Sequence, residues 1–564
     1  MKLKDLSVKE DIRKKMINSI LVILFALSTS LMGATIYVNS SSGDDNSGDG
    51  SSGSPYKTFH KGYTEASSDD IIDLTGTFTW TDAAESGDAA TTGYTIAKNL
   101  TIQGQGAGAT YIQAASTENS ADRRVFTITD TPSITAFTIK GVTIRYGVNS
   151  AEDEISAGIL IYMASNCENC AGVNSSYHDI DVNVNECSFE DNNITGFSSS
   201  NSFSGAGLAH TGYGTNLRSN ITIDKTTFKN NEAYVRSYGA GGLYITQGNN
   251  AVITNCTFEG NSGTSNYSGN YYGTSGALWV HRSGTTTITN CTFSNNSSDG
   301  NGGAIVLHSN TAHLTNNTIA GNSVSSAGKG GGILINSVTN IYLKNNLIAN
   351  NLVNGSADDF YYDGSNTVTD NGYNIVETST GYTFSGTGDI TGNQTNLWGT
   401  GVSATPSLAN NSTVNGTQTL ALSSGSVAID AGNGTANNGV SITPAKAGVV
   451  YFSDEFDVSE NTELSQRTPD VGTSWTELIS NGRDLYVQTY NDWITTQSGS
   501  ATNVGSLYQA NATYSSADYQ ITGRSAFAGG DRNYTRSYAI RIQDANNMYL
   551  ARFGSGATAS LQKP

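Results

Sequence analysis

The sequence is short of charge, of cysteine and of proline. Only 14% of its 564 residues are charged, whereas disordered chains normally carry high charge. Acidic residues outnumber basic ones by 48 to 29, for a formal net charge of -19. So acidic a chain argues against nucleic-acid binding through phosphate contacts. Five cysteines in this length exclude a disulfide-held scaffold. Six prolines leave the backbone donors of a sheet ladder intact. What is abundant is Gly, at 63 residues, together with Ser, Thr and Asn, the residues of turns and solvated strand faces. Many short strands joined by many turns follow from that composition.

Lys14 and Lys15 precede the apolar run Ile20 to Leu27, and small residues follow up to Ala34. A basic head, a short apolar core and a small-residue end describe a secretory signal over residues 1–34, with Met16 as an alternative start. The run is too short to span a bilayer comfortably, and no later segment is long and apolar enough to do so. The mature chain is therefore expected outside the cytoplasm.

An internal repeat fills the middle. One pattern sets an apolar anchor three residues before an Asn: Phe189 and Asn192, Phe228 and Asn231, Phe258 and Asn261, Phe293 and Asn296, Ile319 and Asn322, Ile348 and Asn351. A second pattern opens on small residues and runs into an apolar strand at Ile159, Leu208, Leu243, Leu278, Ile305 and Ile333. Both return with a period of roughly 30 residues, which is a solenoid period. Segments this short, with alternating burial, cannot bury a face alone and must stack. Stacked parallel strands bring equivalent residues to about 4.8 Å, so the six Asn form a ladder of amides. The repeating Gly suits corners where a side chain would meet the next coil. The reading is an all-β protein: a right-handed parallel β-helix over residues 35–440, of about 13 coils and on the order of 60 Å long. A linker over 441–450 and a partial β-sandwich over 451–564 follow.

These interleaved signatures, Phe228-Lys-Asn-Asn231 and Gly302-Gly-Ala-Ile305 among them, resemble the repeats of polymorphic membrane proteins. That resemblance implies a bacterial cell-surface adhesin. Tyr37 to Asn46 followed by Ser54 to Phe59 resembles the opening coil of secreted pectate-lyase-like β-helices. Gly372 to Val376 and Gly425 to Gly432 look like the closing region of choice-of-anchor β-helix proteins. Past Ala445 the texture changes. Asp454 to Asp457, Tyr538 to Ile542 and Met548 to Phe553 read as sandwich strands, with a hairpin turn at Asp544 to Asn547. Thr468-Pro-Asp-Val-Gly-Thr-Ser-Trp475 resembles concanavalin-like jelly-roll modules, which implies glycan binding. A module of that type needs more strands than this segment holds, so the sandwich is expected to be truncated.

The outward positions of the Gly-started strands form two rows. One holds Leu160, Ala209, Tyr244, Trp279, Val306 and Leu334; the other holds Tyr162, Thr211, Thr246, His281, His308 and Asn336. Tyr244, Trp279, His281 and His308 are the candidate stacking platform for sugar rings, against the alternative that loops cover this face and the rings are packed. A polysaccharide lyase needs a base and a cation beside a uronate. The nearest pattern, Lys229 between Glu190 and Glu259, reads more simply as a solvated charge ladder. For a hydrolase pair, Asp179 with Asp181 and Asp358 with Asp359 have no visible support. His281 and His308 lack a third metal ligand, and no metal site is assigned. Asp45 to Gly50 resembles the start of a Ca2+ loop, but Tyr56 stands where its last acidic ligand belongs, so a plain turn is preferred and no cofactor is expected. Cys167 and Cys170 fit a local loop disulfide, while Cys187, Cys256 and Cys291 share one column as buried fillers.

The functional expectation is an adhesin or glycan-binding surface protein whose partner is a polysaccharide or cell-surface glycan. A lyase or glycoside hydrolase acting on acidic polysaccharide, and a structural spacer, are the alternatives. The residues favour the non-catalytic reading.

Overall fold

The computed structural model describes residues 33–85, 93–129, 134–150, 156–163, 180–196, 204–212, 219–235, 238–246, 250–265, 274–325, 328–364, 366–410, 417–433 and 437, and the backbone of short strands between 462 and 562. The signal segment up to residue 32, the insertions at 164–179 and 266–273, the Cys167 and Cys170 pair, Asp179, the linker at 441–450 and Asp454 to Asp457 lie outside the described residues. So does Thr468 to Ser474.

The chain is a right-handed parallel β-helix. One coil shows how it is built: Asn220–Asp224, Thr227–Lys229, Glu232–Val235, Gly239–Ala240 and Leu243–Thr246 follow one another around the axis. Each strand pairs in parallel with its equivalent in the next coil, so that Phe228 faces Phe258 and Ile223 faces Ile253. The wall that carries the Phe anchors is an 11-stranded sheet. Its eleven strands among the described residues span about 50 Å. At Leu278–Thr289 and Ile305–Thr315 two walls merge into one continuous strand, with a register shift after His281.

The first corner of each coil holds a residue with positive φ: Glu186, Lys225, Asn255, Asn290, Asn316 and Asn345. Asn and Asp tolerate this left-handed conformation better than most side chains, which explains part of the Asn excess. The small residues that open the next wall answer a different constraint. A Cβ on Gly303 would meet the Gly331 carbonyl oxygen at 2.1 Å in the next coil.

Inside, Phe189, Phe228, Phe258 and Phe293 stack at 4.8, 4.8 and 4.6 Å between ring centroids, nearly parallel. The six-Asn ladder forms as expected. Each side-chain amide donates to the carboxamide oxygen one coil further on, from Asn192 to Asn231 at 2.9 Å through to Asn322 to Asn351 at 2.8 Å. Cys187, Cys256 and Cys291 are buried free thiols, and burial pushes the Cys187 thiol up to about 12. Their column continues as Asn317, Asn346 and Asn374, which make a second buried ladder.

The N-terminal end is closed by the helix Phe59–Glu65, whose Phe59 packs on Trp80, Tyr94 and Phe126. At the other end the segments 397–410 and 417–431 fold against outward-facing Ala320, Leu347, Ala349 and Ile375, with Trp398 buried among them. Among the described residues no helix is long and apolar enough to cross a membrane.

The chain divides into two compact units, 1–411 with 415–445, and 412–414 with 446–564. The second unit has antiparallel strands. Arg536–Asp544 pairs with Asn547–Phe553, closing at Asp544 and Asn547 as the hairpin expectation had it.

Candidate functional site

The Gly-started wall holds the expected rows in register: Leu160 to Ala209, Ala209 to Tyr244, Tyr244 to Trp279, Trp279 to Val306 and Val306 to Leu334. Their burial differs from the expectation of an open platform. Tyr244 is 0% exposed, Trp279 5% and His281 4%, while His308 is half-buried. The physical reason is a residue that sequence reading passed over. Tyr238, held at φ 56 just before the strand, sets its ring in a T-shaped contact with Trp279 at 5.5 Å and stacks on His281 at 5.4 Å. The four residues therefore sit in a covered, packed aromatic cluster rather than on a flat stacking surface.

His281 and His308 face each other across one coil, with ring centroids 5.0 Å apart. The Nδ1 of His281 lies 3.5 Å from the Tyr244 hydroxyl and 3.4 Å from that of Thr246. Burial pushes the His281 imidazole down to about 3, with His308 and Arg282 adding repulsion, and burial and Arg282 lower His308 as well. Both rings are neutral donor-acceptors at neutral pH, suited to hydroxyl groups rather than to ions. No group of three or more His, Cys, Asp or Glu is arranged for a metal among the described residues. Buried polar atoms on this wall with no hydrogen-bond partner among the described residues include the Trp279 indole nitrogen and the Thr211 hydroxyl on its outward rows, and the inward His210 Nδ1.

The other candidates resolve differently. Lys229 pairs with Glu259 at 3.0 Å, both partly exposed, in register with Glu190 and Arg145; this is the solvated charge ladder. Asp359, just before the strand Phe360–Asp363, is fully buried and ends the Asn ladder. Asp358 instead accepts the Gly330 backbone N–H. Asp45 accepts the backbone N–H groups of Lys57 and Thr58 and the Thr58 hydroxyl. Asp181 accepts from the Asn220 amide on the outer surface.

A carboxylate pair escaped the sequence reading. Asp370 and Asp389 both accept from the Gly386 N–H, and both accept from Asn374. Burial and the neighbouring Asp370 hold the Asp389 carboxyl above the usual carboxylate range. The donors around the pair are backbone and amide groups at the end of the second Asn ladder, which marks it as a structural terminus.

A family model described as "Right handed beta helix region" matches residues 87–348. Among solved structures, a pectate lyase Pel9A shares 17% identity over 68% of this chain and 84% of that one, with a TM-score of 0.27. A rhamnogalacturonan lyase shares 13% identity over 61% of this chain and 87% of that one, with a TM-score of 0.25. No curated protein matches the chain.

Proposed function

We propose that this protein is a secreted, bacterial cell-surface β-helix that binds a polysaccharide or cell-surface glycan without turning it over. One observation carries the reading: in the aromatic cluster of Tyr238, Tyr244, Trp279, His281 and His308 the buried Trp279 indole N–H lacks a partner, as does the buried Thr211 hydroxyl two coils earlier on the same wall. An unpartnered buried polar group costs about 1–3 kcal/mol, and a ligand hydroxyl that reaches it relieves that cost. Neutral imidazoles beside aromatic rings offer a sugar both of the contacts it needs, apolar ring faces and hydrogen bonds. The concanavalin-like module expected in the C-terminal unit would add a second glycan contact.

The test is a glycan array probed with the full chain and with Trp279→Phe and Thr211→Val. Thr211→Val keeps nearly the same volume and removes only the hydroxyl, whereas Trp279→Phe removes the indole N–H together with part of the ring. Binding weakened roughly tenfold in both, with thermal stability unchanged or raised in Thr211→Val, is the expected outcome. Binding equal to that of the unaltered chain, or no glycan bound at all, sinks the reading. Release of unsaturated products from pectin or alginate would overturn its non-catalytic part.

A further inference from the structure

The inward column of the Gly-started wall breaks its own rule once. Ile128, Ile161, Ile245, Val280, Leu307 and Ile335 stand along it in register, and His210 stands between Ile161 and Ile245. The imidazole is 0% exposed, so an ionisable ring fills a place that the neighbouring coils give to apolar side chains.

Hydrogen bonds fix where its proton sits. The Ser219 hydroxyl, itself fully buried, donates to the Ile180 carbonyl, so its oxygen is left to accept from His210 Nε2 at 2.8 Å. The ring therefore carries its proton on Nε2, and Nδ1 is a bare acceptor with no partner among the described residues. This chain of bonds ties Leu208–Gly212 to the start of Asn220–Asp224 and, one coil back, to the residue before Asp181–Asn185. A second proton can enter only at Nδ1, where it places a charge and an unpaired N–H in the core. No charged group faces the ring from the strands packed around it. Their titratable residues, Tyr162, Asp181, Asp224 and Tyr244, belong to the outward rows, and Glu186 and Lys225 pair with each other at the corner. Burial accordingly holds the His210 imidazole down to about 4.

We propose that His210 is an acid-sensitive break point of the solenoid: on protonation the coil of residues 208–235 opens while the coils on either side stay closed. The proposal stands apart from the glycan-binding reading. An open coil returns the ring to water, where it takes up a proton near about pH 6.5. The closed form binds fewer protons than the open form below that value, so its advantage is complete above about pH 6.5 and is lost as pH falls toward about 4. From pH 7 to pH 4 the opening equilibrium of this coil rises roughly a hundredfold. Opening leaves Ile159–Met163 and Leu243–Thr246 without the strand they share, so acid turns a closed wall into two free sheet edges, the form in which sheets pair with another chain.

Hydrogen exchange of the full chain, read peptide by peptide by mass spectrometry at pH 7 and pH 4 and corrected for intrinsic exchange rates, tests the proposal. His210→Leu repeats the residue found at Leu307 in the same column, and His210→Gln keeps a donor for Ser219; neither side chain takes up a proton. The expected result is that protection of peptides within 208–235 falls roughly a hundredfold in the unaltered protein between the two pH values, while the flanking coils keep theirs, and that both variants lose this local fall. If one variant does not fold, the other decides. A fall of equal size in the variants overturns the role of His210, and a loss spread evenly along the solenoid, or no loss at pH 4, overturns the break point.

Discussion

Asn351 donates its backbone N–H at 2.8 Å and its side-chain amide at 2.9 Å to the same carboxylate oxygen of Asp359. The other oxygen of Asp359 accepts the Thr378 N–H and hydroxyl. A ladder in which every amide donates forward needs a final group that only accepts, and an ionised carboxylate is that group. The rule repeats. The ladder Asn317, Asn346, Asn374 ends on Asp389, and a third, running the opposite way from Asn345 through Asn316, Asn290 and Asn255, ends on Asp224.

Asp359→Asn therefore destabilises the β-helix even though it removes a buried charge. The new amide must turn its donor toward either the Asn351 or the Thr378 donors. One buried donor then goes unsatisfied, for a cost of about 1–3 kcal/mol at pH 7. Chemical denaturation of the two proteins checks this; equal stability contradicts the terminator role.

Inside the ladder the opposite substitution is the damaging one. The Asn261 amide donates to the Phe228 carbonyl at 2.8 Å and to Asn296 at 2.9 Å. In Asn261→Asp an ionised oxygen would face those acceptors in a fully buried site. We expect a loss of about 3–5 kcal/mol at pH 8. The sign of the pH dependence follows: the folded state raises this carboxyl above its unfolded value, so stability is greatest in acid and falls as pH rises. A variant whose deficit is the same at pH 4.5 and pH 8 would contradict the geometry.

How much of this was legible in the sequence depends on the period of the feature. Phe189 to Ile348 and Asn192 to Asn351 recur at the solenoid period, so spacing alone located the core stack and the ladder. The second ladder was half visible: Asn317 and Asn346 stand in the column that Cys187, Cys256 and Cys291 mark, two residues before each anchor. The terminators Asp359 and Asp389 occur once each, at coil ends where the repeat has lapsed. The covering of Trp279 by Tyr238 depends on one positive φ outside the repeat. Periodicity reports what repeats, and functional and terminating residues are the ones that do not.

Glu85 supplies a prediction with a defined pH window. Its two carboxylate oxygens accept the backbone N–H groups of Phe59 and His60 at the start of the capping helix. Burial still pushes its carboxyl up to about 7, with Asp45 and Asp82 adding repulsion. A raised folded value means its contribution is fully present below about pH 4.3 and is lost as pH rises to about 7. Glu85→Gln lacks this dependence. Relative to the variant, the unaltered protein should lose roughly 3 kcal/mol between pH 4.5 and pH 8. Thermal melts of both proteins across that range measure the difference, and parallel curves would refute it.

Phe228 and Lys229 are adjacent on one strand and face opposite ways, so they separate what the core contributes from what the outer charge ladder contributes. Phe228 is fully buried between Phe189 and Phe258. Lys229 is exposed at 41% of its side chain in its pair with Glu259. Truncating Phe228 to Ala removes its transfer energy and leaves a cavity between two fixed rings, a cost of about 3–5 kcal/mol. Truncating Lys229 to Ala breaks one solvated ion pair, a cost below about 1 kcal/mol that shrinks further in salt. If Lys229→Ala instead costs as much as Phe228→Ala, the row from Arg145 to Glu259 is holding the solenoid together and is not a solvated face.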